Sequence, residues 1–153
     1  MTSQHTNSYY AATAINMPDF PELSENQNCD VCVVGGGFTG LSTALHLAER
    51  GYKVVLREGE RVGWGASGRN GGLVCTGQRQ GPDELEELLG HDKAKMLWDI
   101  AEEAKVTQQD LIKKHNIPCD YRPGILMAAH KPRTFPDLVD YAESLTNKWG
   151  YKD

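Results

Sequence analysis

Gly35, Gly37, Gly40 and Glu58 have the types and the spacing to hold a nucleotide diphosphate. The three glycines follow an apolar run, Val31-Cys32-Val33-Val34, and open a helix-like run. Gly35 permits a tight turn after a strand. Gly37 lets the backbone approach a pyrophosphate that a Cβ would keep away, and Gly40 lets the helix lie close to the strand. The helix N-terminus then offers free N–H groups and a positive dipole end to phosphate. Glu58 closes the next apolar run at about the 20-residue spacing of a ribose-binding acid, and a carboxylate can accept hydrogen bonds from both ribose hydroxyls. The alternative is a glycine turn in some other α/β unit.

The elements that must position these residues follow from periodicity. The first strand is read as Asp30 to Val34, apolar on both faces as a central parallel strand should be. A helix from about Phe38 to Arg50 carries Leu41, Ala44, Leu45 and Ala48 as its buried stripe, with the structural His46 beside it and Gly51 at its C′ position. The second strand covers Lys53 to Leu56 or slightly beyond. Arg57 marks its exit to solvent, since a charge inside a buried strand is costly. As a 2′-phosphate ligand Arg57 would have to work against the adjacent Glu58.

Between Arg61 and Gly72 the chain is too rich in glycine for a regular element. Such a stretch can lay many backbone N–H groups against a flat or anionic ligand. Trp64, Arg69 and Asn70 argue against a flexible linker, whose composition is small and polar. An NAD-dependent dehydrogenase would continue through alternating strands and helices soon after the acid. Here a long loop and a block of helices follow instead, which suits a flavin dinucleotide.

Composition excludes several classes. The chain has 153 residues, 39% hydrophobic and 24% charged, which fits a globular protein rather than a disordered one. A net charge of −5 without a dominant basic patch argues against nucleic-acid or anionic-membrane partners. No apolar run reaches membrane-spanning length, and Met1 to Asn28 has no hydrophobic signal core, so a cytoplasmic location is expected. Met1 to Asn7 reads as a frayed end, and Tyr9, Tyr10 and Phe20 of this arm can dock on the body. Cys29 and Cys32 form a C-x-x-C, but strand residues three apart point to opposite faces. These two, with Cys75 and Cys119, are read as reduced thiols, and no metal site is expected.

After Gly81-Pro82 the pattern turns helical, with Leu85, Leu88 and Leu89 on one face and Gly90 as an interruption. A longer helix spans about Asp92 to His115, its stripe being Leu97, Ile100, Ala101, Ala104, Leu111 and Ile112, with Pro118 just beyond. His91 and His115 fall at helix boundaries, where capping is the default. Trp98 is read as part of a solvated face or an interface. Ile117 to Ala129 reads as extended with a bend at Arg122-Pro123-Gly124. Thr134 can cap a last helix with Pro136 and Asp137 in its first turn, a stripe of Leu138, Ala142, Leu145 and Trp149, and Gly150 at its end.

Val33-Val34-Gly35-Gly36-Gly37-Phe38-Thr39-Gly40-Leu41-Ser42-Thr43-Ala44 and Gly65-Ala66-Ser67-Gly68-Arg69-Asn70-Gly71-Gly72 resemble the D-amino-acid oxidase / glycine oxidase superfamily of FAD-dependent oxidoreductases. Ser8 to Thr13 and Gly63 to Gly72 are most similar to one amine-oxidising branch of it. The resemblance implies that Gly35, Gly37 and Gly40, with the amides of Phe38 and Thr39, hold the FAD pyrophosphate. It implies that Glu58 binds the adenosine ribose, with Arg61 near the adenosine end. Ala66, Ser67, Gly68, Arg69, Asn70, Gly71 and Gly72 would run past the pyrophosphate towards the flavin ring. The implied reaction oxidises a C–N bond of a small amine to an imine and reduces O2 to H2O2. No residue reads as a dedicated acid or base, and the family pattern has an apolar residue at Arg57 and alanine at Gly59.

The fold class expected is α/β: the N-terminal part of a Rossmann-like FAD-binding domain, a parallel βαβ, then helices and the start of a mixed-sheet substrate domain. The expected division is an arm over 1–28, the flavin-domain segment over 29–116 and the opening of the substrate domain over 117–153. Members of the superfamily are much longer, so the chain is read as an N-terminal fragment. A non-catalytic dinucleotide-binding fragment and an NAD-dependent dehydrogenase are the alternatives. With only two strands in its core, the isolated chain is expected to be marginally stable and to hold FAD weakly or not at all. Composition leaves the oligomeric state and the identity of the amine open.

Overall fold

A computed structural model of the chain describes residues 4–15, 18 and 20–152. It divides into two compact units, Met1–Leu73 and Val74–Asp153. No helix among the described residues is long and apolar enough to cross a membrane.

The first unit holds α1 (Tyr9–Thr13), β1 (Val31–Val34), α2 (Phe38–Glu49) and β2 (Val54–Arg57). The two strands are parallel, with Val31 opposite Val54 and Val34 opposite Arg57. Parallel neighbours need a crossover, and α2 supplies it. Asp30 fixes the register at one end: its N–H donates to the Lys53 carbonyl (2.9 Å) and its carboxylate accepts from the Lys53 N–H (2.8 Å). At the other end Gly35 N–H donates to the Arg57 carbonyl (2.7 Å). Helix α2 stops in a Schellman arrangement: Gly51, at φ 86°, donates to Ala48 O (2.9 Å), and Tyr52 donates to Leu47 O (3.1 Å).

The approach of α2 to β1 rests on glycine. A Cβ on Gly40 would lie 1.9 Å from the Gly35 carbonyl oxygen and 3.4 Å from Val33 Cγ1. Val33 therefore faces α2 and is buried. Its neighbours on the strand point the other way, since side chains alternate. Cys32 is exposed and Val34 is 86% exposed, so the expectation that β1 is buried on both faces does not hold. One crossover helix covers one face of a two-stranded sheet, and among the described residues of this unit nothing covers the other. Tyr9, Tyr10 and Phe20 are likewise exposed rather than docked. Positions 1–3 of the expected frayed end lie outside the described residues.

The second unit is helical: α3 (Pro82–Leu89), α4 (His91–Lys114) and α5 (Phe135–Asn147), the last entered through a 3-10 turn at Pro132–Thr134. Gly90, at φ 82°, separates α3 from α4 and lets the two helices fold back on each other. Leu85, Ala94, Trp98 and Trp149 form the core, with Leu97, Leu145 and Tyr151 packed against it. Trp98 is only 3% exposed, its ring centroid 6.1 Å from that of Trp149. It is a core residue, not an interface residue. The buried line of α4 runs through Ala94 and Trp98, four apart and so on one helix face, while Ile100 is exposed.

Two other expectations are corrected here. Thr134 does not cap α5 through its side chain; its hydroxyl donates to the Lys131 carbonyl (2.9 Å) and closes the 3-10 turn instead. Residues 117–130 form no strand, so no mixed sheet begins among the described residues. Ile125, Leu126 and Met127 are exposed, and a strand without a partner has no ladder to hold it.

One carboxylate ties this helical unit together. Asp83, in the first turn of α3, accepts from Ser144 Oγ (2.6 Å), Lys148 Nζ (2.8 Å) and Trp149 Nε1 (3.0 Å). Lys148 also pairs with Glu86, whose other oxygen meets His91 Nδ1 at 3.1 Å. The Lys148 ammonium, then the Ser144 hydroxyl and the Trp149 indole, hold the Asp83 carboxyl below its usual range, and Asp83 followed by Glu86 raise Lys148.

Gly40→Ala should destabilise the first unit by about 3 kcal/mol, because backbone must move to admit the methyl group. Gly59→Ala, where a Cβ meets nothing within 4 Å, should stay within about 0.5 kcal/mol of the parent. Urea unfolding of both variants checks the pair. For the helical unit the pH dependence has two limbs. Asp83 titrates lower folded than unfolded, so its stabilisation is present above about pH 4 and disappears as pH falls through the folded value. Lys148 titrates higher folded than unfolded, so its share is present below about pH 10 and is lost as pH rises through the folded value. Thermal melts followed by tryptophan fluorescence should show an acid limb that Asp83→Asn makes shallower; an unchanged limb would contradict the assignment.

Candidate functional site

The polar groups of the first unit converge where β1 ends, α2 begins and β2 ends. Gly35 turns the chain at φ 103°. Gly36 is buried and held at both of its backbone atoms: its N–H donates to Glu58 Oε2 (2.6 Å) and its carbonyl accepts from Gly63 N–H (2.9 Å). A Cβ on Gly36 would come within 3.1 Å of Glu58 Oε2 and 3.3 Å of Val62 Cα. Gly37 is the N-cap of α2 and has no side chain to cap it. The first backbone bond of the helix is Leu41 N–H to Gly37 O (2.9 Å), so the amides of Phe38, Thr39 and Gly40 precede the helical ladder and point out of its N-terminus.

The β2 strand and the turn after it place Glu58. Its second oxygen accepts from the Glu60 N–H (3.0 Å). The backbone hydrogen bonds from Glu60, then Gly36, with a smaller one from Gly59, hold the carboxyl below its usual range. The group is thus a carboxylate at neutral pH. An ionised carboxylate has about four acceptor positions; Gly36 and Glu60 N–H take one on each oxygen, Gly59 adds a weaker backbone contact, and what is left can serve a ribose hydroxyl.

The loop after Glu58 folds on itself around a 3-10 turn at Ala66–Gly68. A Cβ on Gly68 would lie 2.1 Å from the Gly63 carbonyl oxygen, so glycine there is required by the loop's own packing. Asn70 Nδ2 donates to Ser67 O (2.9 Å) and Ala66 O (3.2 Å), and its Oδ1 accepts from Gly72 N–H (2.9 Å). Arg69 Nε donates to Trp64 O (2.8 Å), with its guanidinium 4.4 Å from the Trp64 ring centroid. The Trp64 indole N–H in turn reaches the Gln4 carbonyl (3.3 Å). The expected docking of the arm is made here by backbone rather than by its aromatics.

The structure therefore brings Gly35, Gly37, Phe38, Thr39, Gly40, Glu58 and Ser67 into one neighbourhood, the last through a hydrogen bond from Phe38 N–H to Ser67 Oγ (3.0 Å). Arg61 is half-buried beside this loop. Arg69 and Asn70 are engaged with the loop itself, and Gly71 and Gly72 are exposed beyond it. Gly36 is the residue that sequence reasoning passed over. Its importance comes from a contact 22 positions away, and the glycine spacing alone carries no sign of it.

These groups fit the adenosine diphosphate portion of a flavin dinucleotide. Helix amides free of the ladder suit phosphate oxygens, a carboxylate with acceptor capacity left over suits a ribose, and a Cβ at Gly37 would crowd Ser67 Oγ at 3.0 Å, so glycine lets the start of α2 and the loop lie together.

No solved structure matches the chain. Residues 30–153 match the family described as FAD dependent oxidoreductase, DAO. The chain is similar to gamma-glutamylputrescine oxidoreductase of Escherichia coli (strain K12), with 46% identity over 142 residues, covering 93% of this chain and 33% of that protein. It is also similar to the probable oxidoreductase OrdL of Haemophilus influenzae, 40% identical over 150 residues, 98% of this chain and 35% of that one. OrdL of Rhizobium meliloti is 42% identical over 144 residues, 94% and 34%. The chain spans about a third of the length of these relatives. With most of its residues inside that match and its glycine turn, helix and backbone-held carboxylate in one place, the chain belongs to the DAO family of FAD-dependent oxidoreductases.

Proposed function

We propose that this chain binds FAD and serves the oxidation of an amine of the gamma-glutamylputrescine kind. The observation that carries the reading is the Glu58 carboxylate held 2.6 Å from the Gly36 amide, beside the open end of α2, in a chain of this family. Gly35, Gly37 and Gly40 let backbone reach the diphosphate, with the amides of Phe38 and Thr39 as donors. Glu58 holds the adenosine ribose, and Arg61 lies towards the adenosine end. Ala66, Ser67, Gly68, Arg69, Asn70, Gly71 and Gly72 form the loop that leads to the flavin ring. When bound, FAD supplies the two-electron acceptor that turns a C–N bond into an imine, with O2 reduced to H2O2. The proposed division keeps residues 29–116 with the nucleotide and 117–153 with the substrate region, and the proposed setting is the cytoplasm.

The amine is proposed from likeness to the gamma-glutamylputrescine oxidoreductase. A second reading is nucleotide binding without turnover, in which Glu58, held by backbone from Gly36 and Glu60, only orients the ribose.

FAD fluorescence should be quenched on titration with the chain. Glu58→Gln should weaken the affinity about tenfold, the scale of hydrogen bonds to a charged group; equal affinity of the two proteins would contradict the ribose role. The FAD-loaded chain is then mixed with gamma-glutamylputrescine in air. Peroxide release supports the oxidase reading, and FAD binding without peroxide leaves the binding-only reading standing.

A further inference from the structure

Trp64 is the residue at which the glycine loop and the N-terminal arm meet. Its neighbour Gly63 donates to Gly36 O (2.9 Å), so the loop is tied to the glycine turn just before the indole. Trp64 N–H donates to Arg61 O (2.9 Å), and Trp64 O accepts from Arg69 Nε (2.8 Å), which closes the loop across the 3-10 turn Ala66–Gly68. The Arg69 guanidinium also lies 4.4 Å from the Trp64 ring centroid, so one arginine holds both the peptide and the ring. The remaining polar group of the residue is the indole N–H. It donates to the carbonyl of Gln4, 60 positions earlier, at 3.3 Å. An indole N–H is a donor only, and its acceptor here is the backbone of the arm.

Resting on the FAD reading above, we infer that the N-terminal arm is part of the cofactor site, with Trp64 as the positioning residue through which it acts. The arm holds the indole, the indole face holds Arg69, and Arg69 closes the turn that lies against the start of α2. The arm itself touches no ligand atom. Its contribution is to narrow the conformations of a glycine-rich loop before the dinucleotide arrives, so that less freedom is lost on binding. The contact is made to a carbonyl, so it depends on the chain being present at position 4 rather than on the side chain there. On the other partner it depends on one group. Phenylalanine at position 64 keeps a ring face for Arg69 and has no N–H to offer the arm.

FAD is titrated by fluorescence quenching into the full chain, a chain lacking residues 1–7, Trp64→Phe, and the two changes combined. The truncation leaves Ser8, the N-cap of α1, in place. Each single change should weaken FAD binding about fivefold, the scale of one neutral hydrogen bond. The combined protein should be no weaker than either, because both changes break the same bond. Effects that multiply, or a truncation that leaves affinity unchanged, overturn the inference while leaving the FAD reading in place, because the parent chain still binds. No FAD binding by the parent overturns the FAD reading and the inference with it. Amide hydrogen exchange of the ligand-free proteins supplies a readout that needs no cofactor. The N–H groups of Gly68 and Arg69, bonded to Gly65 O (3.2 Å) and Ala66 O (3.1 Å), should exchange about fivefold faster in both single variants. Unaltered exchange in α3, α4 and α5 shows that the variants are folded. Equal rates at Gly68 and Arg69 in parent and variants mean that the arm does not brace the loop, and the inference falls.

Discussion

The hydrogen bond from the Gly36 amide to the Glu58 carboxylate, 2.6 Å long, is the constraint on which the rest of the first unit depends. It joins the end of β2 to the turn that leaves β1, and so fixes where α2 starts. The same residue receives Gly63 N–H on its carbonyl, which brings the glycine loop to the same place. One buried glycine thus connects two strand ends, a helix N-terminus and a loop. The carboxylate in return is oriented by backbone from two directions, through Gly36 and Glu60. A group held this way loses little further freedom when a ribose arrives, which is the physical content of pre-organisation.

A large part of this was legible in the sequence because it depends on local backbone rules. Gly35 and Gly51 have positive φ where turn chemistry asks for it. Gly40 is glycine because a Cβ would strike the Gly35 carbonyl. The order of strand, helix, strand and acid follows from periodicity, and the strands pair in parallel as expected. The rest depended on contacts between distant positions. Gly36 matters through Glu58, Ser67 through Phe38, and neither spacing is fixed by any local rule. Arg69 and Asn70 look from their types like ligand contacts, yet their side chains close the loop on itself. A polar residue in a glycine-rich loop can satisfy either task, and only the fold chooses.

In the helical unit the apolar pattern identified the helices but not all of the residues that fill the core. Trp98 is flanked by charged and apolar neighbours alike, and its burial comes from packing with Trp149 and Tyr151, about fifty residues later. Asp83 has the ordinary look of an acid in a first helical turn, where it favours the dipole. Its larger role, binding Ser144, Lys148 and Trp149, depends on where the end of α5 comes to lie. Residues 117–130 have strand-like composition and no strand, since propensity without a neighbouring edge does not make a sheet.

The central claim is that a dinucleotide lies with its diphosphate at the start of α2 and its sugar on Glu58. Backbone amide chemical shifts recorded while ADP is titrated into the chain test it most directly. The account predicts that the largest changes fall on the amides of Gly36, Phe38, Thr39 and Glu60, with the amides of α3, α4 and α5 unmoved. Changes concentrated in those three helices, or none at the start of α2, would contradict it.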